Sequence, residues 1–274
     1  MQTVLQRVEI KTKRDDSVLV YLLNQKTPTT LSPDTKICGL RLIDWLKKAL
    51  DKIPYVEFDY LCGDIIEFLK SRLVESKYIV VLSSLTPLIT QPMILKIIDY
   101  VINKDINACK FNGGLAFKVD YLKTAEKVQF DSFLPLNEED NMVVTEKNLK
   151  LATKILQDRI IQKHISNGVE ILGNIIIDEP VEIGKNCMIF NGNTLKGCTR
   201  IGDNCILKEN NIIEDSNIFN DVCISSSSVA NSTIEENVFI LPYCFVNNAT
   251  IRKNCYVSSN NKIENRTLRK GTRL

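Results

Sequence analysis

The chain has one histidine, His164, and one tryptophan, Trp45. Everything after residue 164 therefore lacks imidazole, which excludes a histidine general base from the C-terminal part of the molecule. No apolar run approaches the roughly 20 residues of a membrane span. The opening residues, MQTVLQRVEIKTKRDD, lack the apolar block of a secretion signal, so the cytoplasm is the expected compartment. Charge of one sign is also missing. The 35 basic and 33 acidic residues nearly cancel, which gives no electrostatic case for a nucleic-acid or membrane partner. No CxxC spacing points to zinc or redox chemistry, and nine cysteines, an odd number, suit an oxidising compartment poorly. At 274 residues the chain is long enough for two cores.

From Ile171 onward a branched aliphatic residue returns every five or six positions. The series Ile171, Ile177, Ile183, Ile189, Leu195, Ile201, Leu207 and Ile213 steps by six. It continues through Ile218, Ile224, Val229, Ile234, Ile240, Val246, Ile251, Val257, Ile263, Leu268 and Leu274. A 3.6-residue helix cannot hold such a series on one face, and simple strand alternation does not require the period. Four positions after many of these stands a small or β-branched residue, among them Val181, Cys187, Thr199, Cys205, Val222, Val238, Cys244, Thr250, Cys255, Thr267 and Thr272. Segments such as Gly184-Lys185-Asn186 and Gly202-Asp203-Asn204 supply residues that tolerate sharp corners. The pattern predicts a triangular parallel β-helix of hexapeptide repeats, with one aliphatic side chain per face pointing inward. Nineteen positions at three per coil predict about six coils, a prism on the order of 30 Å long. Cys187, Cys205, Cys244 and Cys255 fall on the small inward position and read as buried structural thiols.

The residues before the repeat read as strands alternating with helices. Residues 17–23 and 78–82 are apolar strands. Helices are expected from about Leu40 to Lys52, from Asp64 to Glu75, after a Thr90 cap, and from Asp120 to about Lys127. This alternation predicts an α/β domain with a mostly parallel sheet. Asn112-Gly113-Gly114, between two apolar runs, reads either as a turn or as a loop where backbone approaches a ligand. Residues 130–141 read as an acidic loop. Thr145 is expected to begin a long helix to about Asn167 that buries Leu149, Ala152, Leu156, Ile160 and Ile161, with Gly168 as its stop. His164 lies near the end of that helix, where a cationic or polar side chain is favoured, and its role reads as structural. Lys36 reads as a phosphate-facing lysine or as a solvated one. The basic group Arg266, Arg269, Lys270 and Arg273 reads as an anion or partner site, or as a device that keeps a coil end soluble.

The stretch from Asn148 through Leu-Lys-Leu-Ala-Thr-Lys-Ile-Leu-Gln-Asp-Arg into the repeats resembles the bifunctional bacterial enzymes that make UDP-N-acetylglucosamine. It is similar to that family's linker helix and the start of its left-handed β-helix. Leu85-Thr86-Pro87-Leu88-Ile89 stands where the family has Asp-x-Pro-Leu-Ile, and Asn112-Gly113-Gly114 where it has Asn-Thr-Gly. The resemblance implies that Asn112 and Gly114 are substrate-binding residues touching the sugar. It also implies what is missing. The family's glycine-rich phosphate loop is replaced by Leu22-Leu23-Asn24-Gln25-Lys26-Thr27-Pro28-Thr29, without glycine or arginine. Its metal-binding aspartate is replaced by Leu85, which cannot hold magnesium, and Glu146 is offered as a substitute for the second ligand. Its acetyltransferase motif Arg-Pro-Gly is replaced by Val246-Asn247-Asn248-Ala249, and the sequence reaches Leu274 about where the histidine-bearing coil would begin.

The expected architecture is thus a reduced nucleotidyltransferase-like α/β domain (1–144), a linker helix (145–167) and a left-handed parallel β-helix of hexapeptide repeats (168–274), in a degenerate and truncated relative of the family. The expected function is a trimeric sugar-nucleotide-binding, regulatory or assembly protein without the standard uridylyltransferase and acetyltransferase sites. No catalytic residue, metal ligand or cofactor is assigned; magnesium with UTP, or acetyl-CoA, would be needed only if a family activity persists. The expected partners are two further copies in a homotrimer and a sugar nucleotide or sugar phosphate. The alternatives are an active sugar-1-phosphate nucleotidyltransferase with altered metal ligands, and an acyltransferase with its site at the trimer interface.

Overall fold

The computed structural model describes residues 3–11, 17–23, 31–51, 56–61, 64–71, 76–137 and 142–274. They form two compact units, residues 1–37 with 41–152, and residues 38–40 with 153–274.

The first unit begins with β1 (Thr3–Lys11) and β2 (Ser17–Leu23). The short strands β3 (Lys36–Ile37) and β4 (Leu40–Arg41) lead into α1 (Leu42–Leu50), followed by β5 (Val56–Leu61), α2 (Ile65–Ser71), β6 (Tyr78–Ser83) and α3 (Gln91–Asn103). β7 (Ala108–Phe111), β8 (Gly114–Lys118), α4 (Val119–Thr124) and β9 (Ser132–Leu134) complete it. Its seven-stranded sheet has the order β5-β1-β2-β6-β8-β7-β9. The expected mostly parallel sheet is not found. Among the described residues only β2–β6 and β7–β9 pair in parallel; the other four pairings of this sheet are antiparallel. The reason lies in the two central strands. Val18, Val20, Leu22, Val80 and Leu82 face one core with Ile94, Ile97 and Val101 of α3. Leu19, Tyr21, Ile79 and Val81 face a second core with Leu69, Phe117 and Leu122. Strands buried on both faces read as plain apolar runs, which carry no information about direction.

Several local expectations need adjustment. Thr90 occupies the N-cap of α3 with Pro92 in the first turn, but its side chain makes no capping hydrogen bond. Trp45 is buried, and its indole N–H is satisfied by donating to the Ile37 carbonyl at 3.0 Å. The helix α5 (Leu149–Ser166) starts four residues after Thr145. The Asn148 side chain accepts from the Thr145 amide at 2.6 Å and donates to the Val143 carbonyl at 2.9 Å, which fixes the turn before it. Residues 72–75 and 138–141, parts of an expected helix and loop, lie outside the described residues. Among the described residues no helix is long and apolar enough to cross a membrane.

The second unit is the parallel β-helix. Three six-stranded parallel sheets form its faces. Face one runs from Glu170–Leu172 to Tyr256–Val257, face two from Ile176–Ile177 to Lys262–Glu264, and face three from Glu182–Ile183 to Thr267–Leu268. The aliphatic series stacks on itself in register: Ile171 on Ile189, Ile189 on Leu207, Leu207 on Ile224, Ile224 on Ile240, and Ile240 on Val257. Residues 272–274 add the start of a further rung, with the Leu274 amide donating to the Tyr256 carbonyl at 3.0 Å.

The corners explain both steps of the repeat. Asn186, Asn204, Asp221, Asn237 and Asn254 stack down one corner at φ between 57° and 60°, a left-handed conformation that asparagine tolerates better than most residues. In six-residue steps the next residue turns inward, as predicted for Cys187, Cys205, Val222 and Val238. In five-residue steps the inward position moves one residue earlier. Ala249 is buried there instead of the expected Thr250, and Thr267 is exposed. Polar residues at inward corners bond along the stack. Asn211 Nδ2 donates to Asn193 Oδ1 at 3.0 Å, the Ser227 amide donates to Asn211 Oδ1 at 2.9 Å, and the Cys244 amide donates to Ser227 Oγ at 3.0 Å. The four expected structural thiols are buried, and each donates to a carbonyl one coil on, at 3.0 to 3.1 Å.

Candidate functional site

Asn112 and Gly113 form a two-residue connection between β7 and β8, with Phe111 paired to Gly114 and φ of 81° at Gly113. Asparagine followed by glycine is a strong hairpin signal because the turn needs a left-handed residue. Gly114 is demanded by packing: a Cβ there would collide with the Phe111 ring and the Val81 carbonyl oxygen. The hairpin is held from below by the Ser83 amide, which donates to the Gly113 carbonyl at 2.8 Å.

This turn lines a cavity of about 500 Å³ together with Lys110, Phe111, Phe133 and Leu136. Register sets the floor. Lys110 pairs with Leu115 on one side and with Phe133 on the other, so their three side chains leave the sheet on the same face. The Lys110 ammonium stands 4.2 Å from the centroid of Phe130, a cation–π distance. Phe133, on an edge strand, is 62 % exposed. Asn112 is exposed at the rim and Gly114 is half-buried. Sequence reasoning placed Phe133 in an acidic loop and missed it. The signal was the triplet Ser132-Phe133-Leu134, whose alternation buries Leu134 and exposes Phe133.

The positions to which the resemblance assigns the family's chemistry hold other side chains. Leu85 is only 3 % exposed, and its carbonyl accepts from the Val144 amide at 2.7 Å. The position that the resemblance assigns to a metal aspartate is therefore part of the apolar interior. Glu146 is exposed. Residues 24–29, where the phosphate loop would run, lie outside the described residues. On the β-helix, Val246 and Ala249 point inward, and Asn248 turns a corner at φ 48° with its Nδ2 donating to Asn265 Oδ1 at 2.7 Å. These four residues present amides and no base. Lys36 is exposed, as are Arg266, Arg269, Lys270 and Arg273. Among the described residues no group of three or more histidine, cysteine, aspartate or glutamate side chains could hold a metal ion.

His164 departs from the cationic helix terminus expected for it. It is 3 % exposed, and neither ring nitrogen has a hydrogen-bond partner among the described residues. Burial, and then the neighbouring Lys163 charge, push its pKa down to about 4, so the ring is neutral at pH 7.

A second cavity, of about 610 Å³, lies on face three and is lined by Glu182, Gly184, Arg200, Gly202 and Phe219 among others. Glu182 and Arg200 pair there at 3.2 Å, both largely exposed, and Asp203 also lines the cavity, its carboxylate accepting from the Lys185 amide at 2.7 Å.

No family model matches the chain. Among characterised proteins it is similar to the bifunctional protein GlmU of Clostridium kluyveri, 34 % identical over 116 residues, which is 41 % of this chain and 25 % of that protein. It is also similar to the bifunctional protein GlmU of Listeria innocua, 31 % identical over 132 residues, 46 % of this chain and 28 % of that one. The chain thus spans about a quarter of the length of the relatives it matches. Among solved structures, a hexapeptide transferase family protein from Anaplasma phagocytophilum matches 39 % of this chain and 68 % of its own, at 19 % identity and a TM-score of 0.31. A perosamine N-acetyltransferase from Caulobacter crescentus, solved with CoA and GDP-perosamine, matches 43 % of this chain and 58 % of its own, at 15 % identity and a TM-score of 0.31. Structural likenesses this weak carry no functional weight.

Proposed function

We propose that this chain is a cytoplasmic binding or assembly protein related to the nucleotide-sugar transferases. In this reading it recognises a sugar nucleotide or sugar phosphate at the Asn112–Gly113 hairpin and does not carry out uridylyl or acetyl transfer. The observation that carries the reading is Leu85. A buried leucine at the position of the family's metal aspartate offers magnesium no oxygen, and magnesium binds through hard oxygen ligands. The retained asparagine, by contrast, stands at the rim of a cavity large enough for a sugar. The acetyltransferase reading lacks a base: the one histidine is buried and neutral, on α5.

A homotrimer is part of this proposal, supported by the outer side of face one. Met188, Ile206, Cys223, Phe239 and Tyr256 stack there in register into an apolar stripe that crosses five coils. The matching column on face three reads Glu182, Arg200, Asn217, Thr233, Thr250 and Thr267. A long apolar stripe beside a polar one marks the side that other chains cover.

Incubation with UTP, magnesium and N-acetylglucosamine 1-phosphate should release no pyrophosphate, and acetyl-CoA with glucosamine 1-phosphate should release no free thiol. Turnover at ordinary enzymatic rates in either assay would replace this reading with the corresponding transferase. Light scattering at micromolar concentration should give three times the monomer mass, and Phe239→Glu should lower it to one.

A further inference from the structure

Phe133 and Lys110 both stand at the surface of the α/β unit. Phe133 is 62 % exposed on an edge strand, and the Lys110 ammonium stands over the face of Phe130. What the two share is register: they are direct neighbours across β7 and β9, on one face, in the cavity that Asn112 rims.

From this juxtaposition we infer that Phe133 is a stacking platform for the apolar face of a sugar ring and that Lys110 pairs with a phosphate attached to that sugar. The inference rests on the reading of the hairpin as a sugar-recognising turn, and it names two residues and a ligand chemistry that the hairpin alone does not supply. A pyranose has one face made largely of C–H groups, and a phenyl ring can cover it while the hydroxyls and any amide substituent point to the rim, where Asn112 stands. The phosphate must be within reach of a point charge. Lys110 supplies one, and the electron-rich face of Phe130 keeps the ammonium beside the floor rather than sweeping through solvent. Gly113 and Gly114 leave the hairpin wall without side chains, and Gly114 cannot acquire one. The shared chemistry is a sugar 1-phosphate, either free or as the sugar end of a nucleoside diphosphate sugar.

The test is calorimetric titration and thermal shift of the full chain with four probes: N-acetylglucosamine, its 1-phosphate, UDP and UDP-N-acetylglucosamine. The 1-phosphate or the UDP-sugar should raise the melting temperature, as any ligand selective for the folded state must. The free sugar and UDP should bind at least about tenfold more weakly. Phe133→Ala should weaken both phosphorylated ligands about tenfold or more, Phe133→Tyr should restore them, and Lys110→Met should weaken them while leaving the free sugar unchanged. Phe133 and Lys110 are exposed, so these variants should fold, and an unchanged melting temperature without ligand checks that. Undiminished binding in Phe133→Ala alongside lost binding in Asn112→Ala would overturn this inference and leave the hairpin reading intact. Binding that survives in all three variants, or no binding to the wild type by any probe, would overturn both. A preference for the free 1-phosphate over the UDP-sugar, or the reverse, identifies which source the site takes.

Discussion

The two units use aliphatic residues in opposite ways. In the β-helix each inward residue sits on an equivalent residue one coil away, so Leu207 meets Ile189 and Ile224 through the same geometry that every other coil repeats. In the α/β unit each strand has its own two faces and its own neighbours: Val80 packs with α3 residues while Val81, next to it, packs with Phe117. A repeated environment writes itself into the sequence as a period. A set of unique environments does not. The β-helix should therefore tolerate damage as a one-dimensional stack of coupled coils, whereas the α/β unit should fail as one body.

The largest expected effect tests that independence. Leu207→Ala removes a fully buried side chain from the third coil and should destabilise the β-helix by about 2–5 kcal/mol. Trp45, the one tryptophan, lies in the α/β unit, so its fluorescence reports that unit alone. In a urea titration the far-ultraviolet signal should shift to lower urea while the Trp45 transition stays in place. Coincident shifts would mean that the two units unfold as one and that the contrast drawn above is only architectural.

Acid should separate the units next. His164 has its folded pKa depressed to about 4, below the ordinary value of 6.5, so the unfolded chain binds the extra proton first. Its contribution is therefore present above pH 6.5 and is lost as the pH falls from there to 4, by as much as about 3 kcal/mol. Asp178 in the same unit works the other way, because burial raises its pKa. The difference between wild type and His164→Leu isolates the histidine: the wild-type β-helix should lose stability between pH 6.5 and 4 relative to the variant. In the α/β unit the hydrogen bond from Arg41 holds the Asp44 carboxyl below its usual range. That contribution is lost only below about pH 4. A wild-type profile parallel to that of His164→Leu would contradict the buried neutral ring.

Gly114→Ala probes the α/β unit at the hairpin. The added Cβ meets the Phe111 ring and the Val81 carbonyl, and the overpacking should cost about 1–3 kcal/mol, read by Trp45 fluorescence with the β-helix transition unchanged. A neutral result would show that the hairpin can shift away from β6 and that the cavity wall is adjustable.

The same contrast decides what could be read in advance. Every residue of the aliphatic series from Ile171 to Leu268 takes its place in the three stacked sheets, because one period encodes all the coils. The small-residue rule failed at Thr250 and Thr267, where a corner shorter by one residue moves the inward position, and a step of five rather than six was the visible warning. Sheet direction in the α/β unit was not legible from β2 and β6, though Asn112-Gly113 already argued for an antiparallel β7–β8 pair. His164 was read from its position in the helix as a cationic or polar terminus residue, and burial, which sequence position does not reveal, keeps its ring neutral. Asn112 was legible as a motif. Phe133 was harder to see, because its signal is the alternation of a single triplet, Ser132-Phe133-Leu134, inside a stretch that otherwise reads as an acidic loop.

The smallest effect concerns a residue that breaks the β-helix's own rule. Most left-handed corners carry asparagine, aspartate or glycine, but Tyr243 holds φ 67° with its ring 73 % exposed. A bulky residue in that conformation costs about 1 kcal/mol that asparagine largely avoids. Tyr243→Asn should therefore raise the stability of the isolated chain by a few tenths of a kcal/mol up to about 1 kcal/mol, measured in dilute solution. The corner that holds Tyr243 turns from Ile240 on face one to Phe245 on face two, both flanked by exposed aromatic or apolar residues of the same coils. If the strained tyrosine belongs to the surface between copies, the same substitution must weaken the trimer while it stabilises the monomer, so the two measurements move in opposite directions. A variant that is more stable and equally trimeric would leave the strain at this corner without a compensating contact, and would confine the interface to the stripe on face one.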